Sequence, residues 1–377
     1  MTVSRYGATI EDVAKLVDEW GLPSYRTEQV FEGIWDKRIP LEELTNLARD
    51  LRARFAGALP LALSEVTAQT SHDGMTTKWL WEANAGAQVE TVLMRSAKRA
   101  SVCVSSQAGC AMACTFCATG QAGFERHLDV GEIVEQVARA QHTTTQRVSH
   151  VVFMGMGEPL ANYEPVWESV ERLHRDFGLS ARHLTISTVG VVPGMRRLAT
   201  ASLPVTLAVS LHAPNDELRA SLVPLNHRYP IDEVLDAAAQ VARARGRRVT
   251  FEYAAIADVN DRPEHADALG ILLRTFPGPG GAHVNLIPLN PTGGFPGTPS
   301  TRPRLEAFQA RLETHGVAAT IRRNRGVDID AACGQLAGEV QDRTRVEQRM
   351  AGRIPIPVVA VDALPRTLAA TESRAHP

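Results

Sequence analysis

Strand-like and helix-like segments alternate along the middle of this 377-residue chain, and this alternation constrains its fold more than any other feature. Six short apolar runs rich in β-branched residues appear between residues 100 and 290, and amphipathic helical patterns separate most of them. Such alternation predicts an α/β fold with a parallel sheet flanked by helices. Six βα units could close partly as an incomplete TIM-like barrel or lie open as a doubly wound sheet, and either arrangement puts functional residues at the carboxyl ends of the strands. The runs are ASVCVSS, SHVVFMG, HLTISTVG, PVTLAVSLH, RRVTFEYAA and AHVNLIPLN.

The segments on either side of this region predict smaller units around the main domain. Residues 1–65 show helical spacing of apolar residues, in SYRTEQVFEGIW and in PLEELTNLARDLRARF, and predict a helical accessory domain. Two β-like stretches at 66–97 predict a β-rich extension that leads into the barrel at 98–295. A C-terminal extension at 296–361 contains a seventh strand-like run, VAATIRR, and the tail at 362–377 lacks periodicity and is expected to be disordered.

The overall composition is typical of a globular protein without a membrane span. Hydrophobic residues make up 44% of the chain, and no apolar run approaches the roughly 20 residues that span a bilayer. The N-terminus lacks a signal-peptide pattern, so a cytoplasmic location is expected. The net charge of −2 neither favours nor excludes nucleic acid binding, because balanced totals can hide a basic face. Two basic runs, at 243–248 and 321–325, could supply such a face, although a solvated helix end and an exposed strand edge explain them equally well.

Three of the five cysteines lie within eight residues, in the sequence CAMACTFC that follows the first strand run. Cys110, Cys114 and Cys117 therefore have Cys-x3-Cys-x2-Cys spacing. Three thiolates on one tight loop can bind three irons of a [4Fe–4S] cluster and leave the fourth iron open. A structural zinc site would need four ligands, usually as two separated pairs, and the sequence has no second pair. The odd number of cysteines in a chain of cytosolic character also favours metal or redox chemistry over a disulfide framework.

This loop resembles the signature of the radical S-adenosylmethionine (SAM) superfamily, including an aromatic residue, Phe116, before the last cysteine. The resemblance implies that the open iron binds SAM and passes one electron to it. It also implies that Glu158, in the MGMGEP sequence after the second strand run, accepts a charge-assisted hydrogen bond from the SAM ammonium. Six further residues at or near strand ends are candidates for binding SAM. Each of them alone could be a capping or turn residue, but their shared position at the same ends of successive strands favours a cofactor site. These candidates are Gly157, Ser187, Ser210, Leu211, His212 and Asn290.

The other two cysteines, Cys103 and Cys333, narrow the resemblance to the RlmN family, the dual-specificity adenine C2-methyltransferases of 23S rRNA and tRNA. The similarity spans residues ~20–355, and Val189 departs from the small polar residue of many members. From the residues alone, either cysteine could be a small buried hydrophobic side chain. The most specific pieces of the resemblance are CVSSQAGCAMACTFC, FMGMGEPLAN, SLHAPND, NLIPLNP and RGVDIDAACGQLAG.

The family resemblance implies a mechanism with two SAM molecules per turnover. Cys333 would carry a methyl group from the first SAM, and the second SAM would be cleaved to a radical that activates this methyl group. The activated carbon would then join adenine C2, leaving a covalent protein–RNA adduct. Cys103 would resolve the adduct by forming a disulfide with Cys333, while Glu90, otherwise interpreted as an exposed strand residue, would remove the C2 proton.

The family also implies the substrates and partners of the chain. The substrates would be adenosine 2503 of 23S rRNA and adenosine 37 of certain tRNAs, splayed out of their stacks to reach the cluster, with residues 1–65 as an RNA-binding domain. An electron donor such as flavodoxin would supply electrons, and the protein is expected to be a monomer. Three alternatives stay open: the sister C8-methyltransferase Cfr, a non-methylating radical SAM enzyme that would not need Cys333, and a non-catalytic iron–sulfur RNA-binding protein.

Overall fold

The N-terminal region is helical, as its apolar spacing predicts. In the computed structural model, which describes residues 3–322 and 325–336, α1 spans Ile10–Glu19 and α2 spans Tyr25–Trp35. Thr9 caps α1, because its side-chain oxygen accepts a hydrogen bond from the backbone N–H of Asp12. The Asp12 carboxylate accepts the N–H of Thr9 in return, so two otherwise unpaired helix-end donors are satisfied.

The stretch at 40–55, whose pattern suggests one helix, is instead two pieces. A 3₁₀ turn covers Leu41–Glu43, and α3 covers Arg49–Ala58. Between them, the carbonyl of Asn46 accepts a hydrogen bond from the side chain of Gln29 in α2 at 2.8 Å. This tertiary contact occupies a carbonyl that a continuous helix would use, and so it overrides helix propensity.

A ten-stranded sheet forms the centre of the molecule. Its strands, in spatial order, are β1 (Ser64–Thr70), β2 (Thr76–Glu82), β3 (Gln88–Arg95), β4 (Ala100–Cys103), β7 (Val148–Phe153), β8 (Leu184–Thr188), β9 (Thr206–Ser210), β10 (Val249–Ala255), β11 (Ala282–Pro288) and β12 (Ala318–Ile321). Neighbouring strands are antiparallel from β1 to β4 and parallel from β4 to β12. The six apolar runs are therefore all parallel strands, the β-rich extension pairs directly with the first of them, and the repeat continues past residue 295. A separate antiparallel pair consists of β5 (Gln107–Gly109) and β6 (Phe124–His127).

Helices cover the outer face of the parallel strands. On β10, Phe251 and Tyr253 point outward and contact rings on the helical side, for example Tyr253 against Phe308 at 5.3 Å. Within the described residues, no helix is long and apolar enough to cross a membrane. The helices after α3 are α4 (Ala118–Ala122), α5 (Val130–His142), α6 (Tyr163–Arg175), α7 (Val192–Thr200), α8 (Asp216–Leu222), α9 (Ile231–Arg245), α10 (Pro263–Leu273) and α11 (Arg302–Thr314).

The sheet curves into an incomplete barrel rather than an open doubly wound sheet. Inward-facing side chains of strands from β3 to β12 line one interior cavity of about 560 Å³, which a flat sheet could not enclose. Across the described part of the chain, β12 pairs only with β11, so strand pairing leaves a gap between β12 and β1. The tail at 362–377, whose disorder the sequence predicts, lies outside the described residues, as does the end of the C-terminal extension.

Residues 325–336, here called the cysteine segment, run along the antiparallel strands. The side chain of Arg325 donates a hydrogen bond to the carbonyl of Arg95 at the end of β3. Further along, the ammonium of Lys78 on β2 donates to the carbonyl of Asp330 at 3.3 Å. These contacts hold the segment beside the barrel and bring its later residues to the end where the parallel strands terminate.

Candidate active site

The loop that carries Cys110, Cys114 and Cys117 is compact because glycines allow close backbone approaches. Gly109 has φ +71°, and a Cβ there would lie 2.0 Å from the carbonyl oxygen of Gly123. That same oxygen accepts the backbone N–H of Cys110 at 2.8 Å. Any larger residue at Gly109 would therefore push the first cysteine out of its turn.

Burial and mutual repulsion act on the three thiols of this loop. Cys110 and Cys114 are buried, and Cys117 is half-buried. Burial raises the pKa of all three thiols, and neighbouring thiolates raise the pKa of Cys110 and Cys114 further. The backbone N–H groups of Thr119 and Gly120 oppose the pKa shift at Cys117 by donating to its sulfur. Bound iron ions would instead favour the thiolate form of all three cysteines, because metal coordination deprotonates thiols.

This set of donors fits a [4Fe–4S] cluster better than a single metal ion. Backbone N–H groups that donate to cysteine sulfur, as at Cys117, are among the interactions that tune such clusters. Among the residues that the structure describes, no three His, Cys, Asp or Glu side chains converge on the position of one metal ion. A cluster needs no such convergence, because each thiolate binds a different iron.

A second cavity, of about 160 Å³, adjoins the cysteine loop at the carboxyl ends of the parallel strands and is called the cofactor cavity below. Its wall includes all but one of the expected SAM-binding residues, together with two cluster cysteines and Cys333: Gly157, Glu158, Ser187, Ser210, His212, Asn290, Cys114, Cys117 and Cys333. Leu211 is the exception, since it is fully buried behind the wall. Its N–H donates to the carbonyl of Glu252 and its own carbonyl accepts from Arg219, so its backbone is used within the protein.

Two backbone N–H groups fix the carboxylate of Glu158 in the cofactor cavity. The N–H of Leu160 donates to Oε1 at 3.0 Å, and the N–H of Val189 donates to Oε2 at 2.9 Å. Burial raises the pKa of Glu158 to about 7, against the effect of these two donors. Each oxygen can accept a further hydrogen bond, so the ionised group can receive an ammonium. Val189 contributes its backbone here, so its apolar side chain does not disturb the contact.

Gly157 sets the approach to Glu158. It has φ +98°, and a Cβ at this position would lie 2.5 Å from the Cβ of Gln107. Gln107 in turn accepts the backbone N–H of Glu158 on its Oε1 at 2.8 Å. A side chain at Gly157 would therefore displace the residue that orients Glu158.

His212 can donate a hydrogen bond to a ligand in the cofactor cavity. Its Nδ1 accepts the backbone N–H of Ala254 at 3.0 Å, which assigns the proton of the neutral ring to Nε2. Burial and the nearby Arg219 lower the pKa of His212 to about 3, so the ring is neutral at physiological pH. The ring of Phe116 packs against it edge-on at 4.8 Å and links it to the cysteine loop.

Arg219 is a structural centre of the site that sequence patterns did not reveal. Its guanidinium is fully buried and donates to the carbonyls of Leu211, Val189 and Ser210 and to Oδ1 of Asn226, at 2.6–3.2 Å. Burial lowers its pKa to about 10, so it stays positive at neutral pH. It therefore joins the ends of β8 and β9 and places a positive charge near the cluster loop. In the sequence it looks like an ordinary charged residue of a short helix.

The cysteine segment brings Cys333 to the cluster loop. The N–H of Ala118, the residue after Cys117, donates to the carbonyl of Gly334 at 2.8 Å. The side-chain amide of Asn290 donates to the carbonyl of Cys333 at 2.8 Å. Asn290 therefore positions Cys333 as well as lining the cofactor cavity.

Cys103, Cys333 and Arg322 lie together where the two cavities meet. Cys333 and Arg322 line both cavities, and Cys103 lines the interior cavity. The charge of Cys333 is the largest influence that raises the pKa of Arg322, and Glu252 and Cys103 add to it against burial. Burial raises the pKa of Cys103 to about 12, Cys333 raises it further, and Arg322 opposes the shift. All five cysteines are free thiols, and the sulfurs of Cys103 and Cys333 share one half-buried cation, Arg322.

The interpretation of the run 321–325 as an exposed basic face is wrong for Arg322. This side chain is half-buried on the wall of both cavities, and two other residues of the run lie outside the described part of the chain. The run 243–248 precedes β10, at the amino ends of the parallel strands and away from the cofactor cavity. Arg245, which belongs to this run, donates a hydrogen bond to the carbonyl of Leu198.

Glu90 is buried on β3, so its interpretation as an exposed strand residue is wrong. It lies two residues before Val92 on the same face of β3, and because the side chain of Val92 lines the interior cavity, Glu90 also faces the inside of the barrel. Its carboxylate forms an ion pair with Lys78 at 3.2 Å, and Lys78 also donates to the carbonyl of Asp330 in the cysteine segment. Glu90 does not line either cavity, but Lys78 connects it to the segment that carries Cys333.

Comparisons with known proteins give the class and then the family. A model of the radical SAM superfamily matches residues 104–269, and a crystal structure of a radical SAM methyltransferase from Sphaerobacter thermophilus aligns with TM-score 0.83 and 43% identity, over 88% of this chain and 98% of that one. The barrel and its cysteine loop thus belong to a radical SAM methyltransferase.

The particular family follows from curated relatives named probable dual-specificity RNA methyltransferase RlmN. The relative from Parafrankia sp. is 50% identical over 346 residues, covering 86% of this chain and 89% of the relative. The one from Mycobacterium tuberculosis is 50% identical over 334 residues, covering 86% and 92%, and the one from Roseiflexus castenholzii is 44% identical over 383 residues, covering 89% and 96%. This chain belongs to the RlmN family and is a radical SAM RNA methyltransferase.

Proposed function

We propose that this enzyme methylates C2 of adenosine 2503 in 23S rRNA and of adenosine 37 in tRNAs, through a methyl group carried on Cys333. The observation that carries the proposal is the position of Cys333. Its thiol lies at the meeting point of the cofactor cavity and the interior cavity, beside Arg322 and near Cys103. A non-methylating radical SAM enzyme would have no use for such a pair of thiols.

The cofactors would occupy the residues grouped above. Cys110, Cys114 and Cys117 would hold a [4Fe–4S] cluster, and the carboxylate of Glu158 would accept the ammonium of SAM. His212, with its proton on Nε2, would donate to the same ligand. When bound, the cluster supplies the electron that cleaves SAM reductively, and we propose that each turnover uses two SAM molecules.

Cys333 would act as the nucleophile, and its sulfur lies beside the cation of Arg322. A thiolate takes a methyl group from SAM far more readily than an adenine carbon does. Asn290 holds the backbone of Cys333 in place during this step. Arg322 is therefore proposed as a positioning residue for the methyl carrier.

Cys103 and Glu90 would act after the new carbon–carbon bond forms. Cys103 would attack the sulfur of Cys333 and form a disulfide, which breaks the link between Cys333 and the RNA. The carbon released from sulfur would keep the bonding electrons and take up a proton to become the new methyl group. Glu90, on the inner face of β3 and linked through Lys78 to the cysteine segment, would take the C2 proton.

RNA would bind at the carboxyl ends of the strands, with residues 1–65 as a further contact surface. A target adenine must leave its stack to enter the cofactor cavity. Each phosphate contact releases counterions, so RNA affinity should fall as salt concentration rises. In a plot of log affinity against log salt concentration, each contact would steepen the slope by roughly 0.7–0.9. A flavodoxin-type protein would donate the electrons, and the enzyme would act as a monomer.

Tandem mass spectrometry of RNA methylated by the reconstituted enzyme tests this function. The expected product is 2-methyladenosine at the two positions, and Cys333→Ala should yield none while still binding cluster and SAM. A methyl group on C8 would assign the enzyme to the Cfr type instead. SAM cleavage without any methylated RNA would favour a non-methylating radical SAM enzyme.

A further inference from the structure

The interior cavity extends from the thiols of Cys103 and Cys333 to the amino ends of the strands, and no ligand is assigned to it above. His283 and Ile287 of β11 both line it, and four residues of strand give a depth of about 13 Å. Arg99, at the amino end of β4, also lines it and is exposed. The cavity therefore opens to solvent at the end opposite the cofactor cavity.

The wall of the interior cavity carries an excess of positive charge. Three arginines carry this charge: Arg99, Arg322 and Arg325. Glu252 is the one carboxylate among the described residues that line it. His150 and His283 also line the cavity, and burial first, then nearby cations that include Arg99 and Arg248, lower the pKa of both rings, so they add little positive charge near neutral pH. Such a lining attracts anions.

We propose that the interior cavity admits a small anionic thiol, which reduces a Cys103–Cys333 disulfide between turnovers. This inference rests on the proposed function, in which each turnover ends with that disulfide. A volume of about 560 Å³ is within the ~300–1,000 Å³ of small-molecule sites, and both cysteines line the wall. RNA at the carboxyl ends would leave this second route open.

The reduction proceeds by two thiol–disulfide exchanges. A small-molecule thiolate attacks one sulfur of the disulfide, forms a mixed disulfide and releases the other cysteine as a thiolate. A second small-molecule thiolate then attacks the mixed disulfide at the sulfur of the small thiol, so the oxidised small-molecule disulfide leaves. Two thiols supply two electrons, and the two protons that they lose are replaced on Cys103 and Cys333. Arg322 faces both protein sulfurs and stabilises whichever leaves as a thiolate.

Charged thiol-specific reagents test this route on the reduced, cluster-containing enzyme under anaerobic conditions. The probes are an anionic sulfonatoethyl and a cationic trimethylammonioethyl methanethiosulfonate, and mass spectrometry locates the modified cysteine. The double variant Arg99→Glu/Arg325→Glu reverses the charge of the cavity rim. Arg243→Glu is the matched control, because Arg243 is exposed on α9 and does not line the cavity.

The anionic probe should label Cys333 and Cys103 faster than the cationic probe. Charge reversal at the rim should invert this preference by about tenfold at low ionic strength, with a smaller effect at high salt, while the control keeps it. Bound substrate RNA should not protect the two cysteines. Equal rates for both probes, an unchanged double variant, or full protection by RNA would each overturn the proposal. Labelling does not require methyl transfer, so a failure of the proposed function appears separately, as unmethylated RNA with the charge preference intact.

Discussion

Replacing Arg219 by Met should destabilise the enzyme strongly, because it removes one buried cation and leaves four acceptors without their donor. Those acceptors are three carbonyls at the ends of β8 and β9 and the side-chain oxygen of Asn226. A buried acceptor without a partner costs about 1–3 kcal/mol, and breaking a buried charged network costs about 3–5 kcal/mol. Because some of these acceptors can gain water, we expect a loss of about 4 kcal/mol.

The measurement is urea unfolding at low temperature, followed by far-UV circular dichroism, on the cluster-free protein. Arg219→Lys keeps the charge but cannot span four acceptors, so about half of the loss is expected. Arg243→Met is the matched control on the exposed face of α9 and should stay within about 0.5 kcal/mol of the parent. A loss below about 1 kcal/mol for Arg219→Met, with an unchanged urea dependence, would refute the assignment of Arg219 as the link between these strand ends.

Three further predictions concern the cofactor cavity. Gly157→Ala should weaken SAM binding by at least about tenfold in calorimetry with the fold retained, because its Cβ would displace Gln107; equal affinity would contradict this. SAM affinity should rise as the pH passes upward through about 7, because burial raises the pKa of Glu158 to that value and only the ionised carboxylate attracts the ammonium; Glu158→Gln should bind weakly and lose this pH dependence. Arg322→Gln should slow methyl transfer from SAM to Cys333, because it removes the cation beside this sulfur, whereas an unchanged rate would show that Arg322 does not position the methyl carrier.

The raised pKa of Glu158 also makes the free energy of unfolding depend on pH. Because the pKa of Glu158 in the folded protein exceeds its ordinary value of 4.5, the folded state holds this proton more tightly than the unfolded chain. The resulting stabilisation is complete below about pH 4.5 and is lost as the pH rises through about 7. Glu158→Gln should remove this component of the pH dependence from the free energy of unfolding.

The sequence predicts the strands and the cysteine loop because both depend on local patterns. Apolar β-branched runs can be buried only as strands here, and the spacing of Cys110, Cys114 and Cys117 suits a cluster wherever the loop lies. The positions of Glu158 and His212 can also be predicted from the sequence, since each residue follows a strand run and the carboxyl ends of parallel strands lie at the same edge of a sheet.

Arg219, Arg322 and Glu90 show where sequence patterns fail. Arg219 and Arg322 lie in charged stretches that are typical of exposed surfaces, and only the fold shows that Arg219 is fully buried and that Arg322 lies on the wall of both cavities. Glu90 pairs with Lys78 on the neighbouring strand, and Lys78 in turn contacts Asp330, which is 252 residues further along the chain than Lys78. Contacts of that separation leave no trace in local periodicity.

The covalent intermediate tests the central claim most directly. Cys103→Ala, purified from cells, should carry RNA attached through Cys333, visible as a slowly migrating species on a denaturing gel and identified by mass spectrometry. The link should persist because no other thiol in the described part of the chain lies beside Cys333 to break it once the cluster holds Cys110, Cys114 and Cys117. Cys333→Ala, the matched control, should carry no RNA and form no methylated product. If Cys103→Ala carries no adduct and methylates RNA at the parent rate, Cys103 is a core residue and the two-cysteine mechanism is wrong for this enzyme.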